Sequence, residues 1–287
     1  MPMKIARVIR DSLETYAIVQ GNNLIIREEM ARQLNKELPT NIEDFLFGEW
    51  LEIVRNEHFD ASQPISIYKF LPPLANPPKI IGLGYNYLDH AKEHGAKPPT
   101  EPVIFMKPRT ALVGAADDIM CPQFVTQLDY EGELAFVIKE RCKNVRQEEA
   151  MQYVLGYMIF NDVSARDIQF KESQWTRGKS FDTFAPCGPW LTTRDEIADP
   201  YNLRIVTKVN GEIRQNSSTK YMALKIDNII ASLSKVMTLE RSDIISTGTP
   251  SGVAAFMATP KFLQHGDTVE IEIENLGRIR NRVTFVD

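Results

Sequence analysis

Apolar positions in this chain gather into short runs separated by turn residues, and long helical stripes are scarce. Residues 4–10 and 14–26 read as short strands around a turn at Gly21-Asn22-Asn23, followed by a polar helical stretch over 28–38. Beyond Pro78 the runs at 79–83, 103–107, 132–139, 155–161, 203–209, 243–247 and 268–273 predict further strands. Helical periodicity is confined to 147–153 and 225–234. Strands at uneven spacing with so few helices argue against a regular βαβ series and for a mixed α+β, mostly β fold.

The clearest boundary lies at Leu71-Pro72-Pro73 and Asn76-Pro77-Pro78. Paired prolines neither continue a helix nor donate to a ladder. A small N-terminal α/β domain is therefore expected over 1–72, and a catalytic domain over 73–287. A chain of 287 residues suits one main domain with a smaller companion.

Charge narrows the partners. A net charge of −5 with no basic run argues against nucleic acid, because phosphate binding needs clustered Lys and Arg. No stretch approaches a membrane span, and residues 1–10 lack the apolar centre of a signal peptide. Cys121, Cys142 and Cys187 are odd in number, widely spaced and form no CxxC pair. Idle thiols in a reducing cytoplasm are the expectation.

The most informative stretch is Tyr130-Glu131-Gly132-Glu133, which leads into an apolar run. Side chains two apart on a strand share a face, so Glu131 and Glu133 should point together. A solvated edge would explain two such acids equally well. A third acid, Asp162, ends the apolar run at 155–161. Three carboxylates converging near 4 Å repel by about 4 kcal/mol per pair at an effective dielectric near 20, about 12 kcal/mol in all. That rivals the stability of a typical domain and calls for a cation. Oxygen-only ligands select Mg²⁺, Mn²⁺ or Ca²⁺ over zinc.

Four blocks now occur in an order that resembles fumarylacetoacetate hydrolase family proteins. They are Tyr130-Glu131-Gly132-Glu133, Asn161-Asp162-Val163-Ser164-Ala165-Arg166-Asp167, Gly178-Lys179-Ser180-Phe181-Asp182-Thr183 and Thr247-Gly248-Thr249-Pro250-Ser251-Gly252-Val253. The resemblance runs from about Pro78 to the C-terminus. It implies a β-roll catalytic fold, a homodimer, and Glu131, Glu133 and Asp162 as Mg²⁺ or Mn²⁺ ligands. It further implies a catalytic His90–Glu93 pair, with Lys179 stabilising enolate charge and Arg166, Gln169 and Thr249 contacting substrate. His90 and Glu93 are three apart, so a helix would set them on one face. The chain lacks the acid that the founding eukaryotic hydrolase carries near Tyr85 and Asn86. That departure aligns it with the smaller acylpyruvase-like and decarboxylase-like branch.

The expected chemistry is metal-dependent C–C cleavage of a small 2-oxo acid, as an acylpyruvate hydrolase or oxaloacetate decarboxylase. Isomerisation of a 2-hydroxyhepta-2,4-diene-1,7-dioate is the alternative. Residues 95–102, rich in Gly and Pro, are expected to form a lid that carries His90 and Glu93 over the metal. Two rivals come from other classes. His90-Ala91-Lys92-Glu93-His94 also spells HxxEH, an inverted zinc-peptidase pattern, but Gly95 cuts short any helix there. A binding protein that merely kept the fold is the other; intact acids, His90, Glu93 and Lys179 speak against it.

Overall fold

The computed structural model describes residues 3–287. The architecture is mixed and mostly β. Its largest sheet runs, from edge to edge, through Gln63–Pro64, Asn23–Ile26, Leu13–Gln20, Lys4–Arg10, Ala185–Thr193, Val154–Asn161, Gly132–Ile138, Ile244–Ser246, Ile80–Gly84 and Val103–Lys107. A second sheet joins Glu212–Ser218, Arg204–Val209, Thr268–Ile273, Gly277–Val286 and Ile119–Pro122.

Gly132–Ile138 and Val154–Asn161 pair antiparallel in the middle of the large sheet, and every residue of both is buried. Strands covered on both faces need apolar side chains on both, which is why they read as continuous runs rather than alternating ones. The longest helix, Ile226–Val236, turns Ile226, Ile229, Ile230 and Leu233 into the main core, which also holds Leu134, Phe136 and Tyr157.

The strands expected at 79–83, 103–107, 132–139, 155–161, 203–209, 243–247 and 268–273 are all present, within a residue or two at each end. The stretch at 147–153 is a 3₁₀ helix, and the first helix covers Arg27–Leu34 only. Ala185–Thr193, Glu212–Ser218 and Gly277–Val286 were not anticipated. The first carries two prolines, and the others are interrupted by Arg and Asn, at 214 and 216 in one and at 278 and 280–282 in the other. Main-chain pairing crosses the expected boundary at Pro72: Lys4 and Ile5 pair with Thr192 and Leu191. Ile5, Tyr16 and Met30 share a core with Phe160, Cys187 and Leu191. All three cysteines are buried and free.

Candidate active site

The acids meet where two central strands begin and end. Gly132 pairs with Asn161, so Glu131, Glu133 and Asp162 come from adjoining ends of one antiparallel pair. The Asp162 amide donates to the Glu131 carbonyl at 2.9 Å, and Asn161 Oδ1 accepts from the Glu131 amide at 3.1 Å. Gly132 lets the strand pass close to its neighbour, since a Cβ there would lie 2.4 Å from Thr207 Oγ1. One oxygen from each of the three carboxylates lies within 4.8 Å of the others. All three side chains are buried.

Cations surround them, and one was missed in the sequence. Lys179 Nζ donates to Glu131 Oε2 and to Asp162 Oδ2, both at 2.7 Å. Arg166 donates from Nε to Asp129 at 2.9 Å, from a terminal nitrogen to Gln169 at 2.9 Å, and from the other to Glu131 at 2.5 Å. Lys107, fully buried, donates to Asp162 Oδ1 at 2.6 Å and to the Val163 carbonyl at 3.1 Å. Lys107 ends a short strand with alternating burial, where a lysine at an inward position was the available signal. Asp129 went unremarked as well, although it sits two residues before Glu131.

The same low-dielectric setting moves the two glutamates apart. Burial alone would raise the Glu131 carboxyl, but Lys179, Arg166 and His90 outweigh it and hold it well below the usual carboxylate range. Glu133 is held well above that range by burial, then by Asp162 and Glu131. Burial opposes the charge on Lys179, yet Asp162 and Glu131 keep its ammonium raised. At Lys107 burial wins over Asp162, and its ammonium is lowered.

The predicted pair occupies the wall above this floor. Helix Leu88–Glu93 starts after extended Tyr87 and ends at His94, with Gly95 at φ +70°. His90 Nδ1 lies 3.3 Å from Glu93 Oε2. With the Nδ1 proton shared toward Glu93, Nε2 is the free acceptor. The Asp89 carboxylate accepts from the His90 amide at 2.9 Å, from Ser217 at 2.7 Å and from Ser251 at 3.3 Å. Glu93 accepts from the Gly252 amide at 3.1 Å. The helix is thus seated on the site, and His90 is 6% exposed.

A small cavity of about 30 Å³ brings together His90, Glu131, Arg166, Gln169, Lys179 and Thr249. Aromatic groups rim it: His94 packs on Tyr85 and Phe256 with ring centroids at 4.9 and 4.4 Å, and Tyr85 packs on Trp175 at 5.1 Å. The Thr249 hydroxyl is committed, donating to the Gly132 carbonyl at 3.0 Å and accepting from Gln215 at 2.8 Å. It holds the turn at Gly248, whose φ of +90° and crowding against Leu83 suit glycine. The zinc-peptidase pattern finds no support: His94 packs edge-on to Tyr85 in the rim, and Glu131, Glu133 and Asp162 are the one metal-competent cluster among the described residues.

Comparison with known proteins agrees with this geometry. Residues 79–284 match the family described as fumarylacetoacetate (FAA) hydrolase C-terminal. The chain belongs to the fumarylacetoacetate hydrolase family. Within that family, a mitochondrial oxaloacetate tautomerase of Xenopus laevis is 45% identical over 252 residues, spanning 86% of this chain and 79% of the relative. A fumarylacetoacetate hydrolase of Exiguobacterium antarcticum superposes with a TM-score of 0.85 at 34% identity, covering 99% of this chain and 100% of the other. A 2-hydroxyhepta-2,4-diene-1,7-dioate isomerase of Mycobacterium marinum gives 0.76 at 33% identity, with 99% and 98% covered.

Fumarylacetoacetate hydrolase family proteins are typically divalent-metal-dependent, and the donor set here fits such a cation. Four carboxylates, Asp129, Glu131, Glu133 and Asp162, face three cations, Lys107, Arg166 and Lys179. The sequence-based repulsion of about 12 kcal/mol counted no cations and is too large. What remains unbalanced falls on Glu133. Its Oε2 accepts from Ser246 and from the Gly248 amide at 3.0 Å, while its buried Oε1 has no partner. A buried carboxylate oxygen without a donor is the vacancy that a hard cation fills.

Proposed function

We propose that this protein catalyses keto–enol proton transfer on a small 2-oxo acid, with oxaloacetate as the first candidate, in a divalent-metal-dependent site. The observation that carries this reading is His90, bonded to Glu93, lining one cavity with Lys179 and with Glu131, the acid that clusters with Glu133 and Asp162. The likeness to oxaloacetate tautomerases adds support.

Glu131, Glu133 and Asp162 would hold Mg²⁺ or Mn²⁺, which when bound polarises the 2-oxo group. The chain's own residues do the rest. Glu93 orients the imidazole, so His90 Nε2 takes the proton from C3 and returns it to the enol oxygen. Lys179 spends two of its three N–H donors on Glu131 and Asp162, and the third is left for the developing enolate oxygen. Arg166 keeps two donors beyond its three bonds, available to the substrate carboxylate along with Gln169. Thr249 acts by holding the Gly248 turn. The aromatic rim keeps water from the enolate.

C–C cleavage is the second reading, favoured by the structural likeness to a fumarylacetoacetate hydrolase and by the same pair's capacity to activate water. Following enol-oxaloacetate absorbance alongside pyruvate production separates the two. Enol loss without pyruvate supports the tautomerase; pyruvate from oxaloacetate or acetylpyruvate supports the lyase or hydrolase. Inactivity on every 2-oxo acid with Mg²⁺ and Mn²⁺ sinks both.

A homodimer is part of the proposal. The edge strand Val103–Lys107 exposes Val103, Ile104 and Met106, and an open apolar edge invites a second copy. Sedimentation at monomer mass would refute it. A reducing cytoplasm is proposed on the three buried free thiols; among the described residues, no helix is long and apolar enough to cross a membrane.

A further inference from the structure

Asp129 is fully buried, and its two oxygens are saturated by four donors. Oδ1 accepts from the amides of Tyr130 at 2.9 Å and Ala254 at 2.8 Å. Oδ2 accepts from Arg166 Nε at 2.9 Å and from the Ala255 amide at 3.0 Å. One carboxylate therefore ties the acid floor, through Arg166 and Glu131, to the segment at 252–255. That segment holds the catalytic pair, because the Gly252 amide donates to Glu93. Tyr130 adds a parallel tie, its hydroxyl donating to the Gly252 carbonyl at 2.9 Å.

We propose that Asp129 is a positioning residue that couples the acid floor to the His90–Glu93 pair. It touches neither the triad nor the cavity; it fixes Arg166 on one side and the Gly252 anchor of Glu93 on the other. The coupling needs an acceptor on both oxygens. In Asp129→Asn, Oδ1 can still serve Tyr130 and Ala254, but Nδ2 then faces the Arg166 and Ala255 donors. Donor against donor is repulsive, so an almost isosteric change severs one arm. The inference rests on the proposed proton transfer for its kinetic consequence, but not for its structural one.

Two measurements test it. In activity, Asp129→Asn should lower kcat about tenfold to a hundredfold with Mn²⁺ uptake retained, and raise KM severalfold because Arg166, which meets the substrate carboxylate, loses an anchor. The loss should largely disappear in a Glu93→Gln background, because both changes act on one anchor. Losses that multiply across that cycle overturn the proposal. In hydrogen exchange, which needs no turnover, Asp129→Asn should speed the Gly252 amide about tenfold although Asp129 does not touch it. Unchanged Gly252 exchange overturns the proposal even for a silent enzyme. Wild-type inactivity on 2-oxo acids with accelerated Gly252 exchange instead overturns only the assigned reaction. If Asp129→Asn does not fold, Tyr130→Phe removes the parallel tie: a several-fold kcat loss that vanishes in Glu93→Gln supports the coupling, and a multiplying one overturns it.

Discussion

The floor and the wall of this cavity are built on opposite plans. The floor sets Glu131, Glu133 and Asp162 at the ends of two central strands, locks them with Lys107, Arg166 and Lys179, and buries all of them. The wall is one six-residue helix, Leu88–Glu93, held by side-chain bonds from Asp89 and Glu93 to three neighbouring residues. Under the proposed reaction the difference separates two tasks. Gathering like charges needs a frame that cannot relax, whereas moving a proton needs a group that can shift by a fraction of an ångström. Even within the floor, neighbours diverge: Glu131 is paired with cations and held anionic, while Glu133 keeps one oxygen unpartnered and is pushed toward its protonated form.

The largest break should come from the floor. Asp162→Ala leaves Lys107 and Lys179 buried without their shared partner, at a cost of about 3–5 kcal/mol. Urea unfolding should show that loss and calorimetry the loss of Mn²⁺ uptake; stability within about 1 kcal/mol of wild type contradicts the frame described here. Next comes His90→Ala. Turnover should fall about 10²–10⁴-fold while Mn²⁺ uptake stays intact, so metal loss in this variant would erase the floor–wall distinction.

A subtler effect separates the two glutamates. Because the folded state raises the Glu133 carboxyl above 4.5, the folded protein binds that proton more tightly than the unfolded chain. Metal-free protein should lose stability as pH climbs from 4.5 toward the raised value, and Glu133→Gln should flatten that decline. Glu131 works in reverse, its contribution fading as pH drops below the usual carboxylate range. Melting curves of the metal-free pair of proteins across pH decide this; identical slopes refute it. The same reasoning makes cation uptake release a proton from Glu133. The smallest effect belongs to the wall's anchor. Asp89→Ala removes the acceptor of the His90 amide and two serine contacts, for about 1 kcal/mol by denaturant midpoint and a several-fold drop in rate. Unaltered turnover and midpoint would show that the helix is held elsewhere.

Much of this was legible in the order of residues. Buried strands announced themselves as apolar runs, because a strand covered on both faces needs apolar side chains on both. Glu131, Glu133 and Asp162 stood out as acids at the borders of such runs. His90 and Glu93 stood at the spacing that a single helical turn brings together. Ala185–Thr193 was hidden by its prolines, Glu212–Ser218 and Gly277–Val286 by their polar and charged residues, since pairing partners rather than local preference made them strands.

What local sequence could not convey was charge balance. Lys107 lies 55 positions from Asp162, and Asp129 lies 37 from Arg166 and 125 from Ala254, so no spacing rule links them. Counting the acids alone made a cation compulsory; only their tertiary neighbours revealed that three of four charges are already answered and that Glu133 carries the remainder. Periodicity is a local property, set by which way successive side chains point. Electrostatic balance belongs to distances through space, and those exist only once the chain has folded.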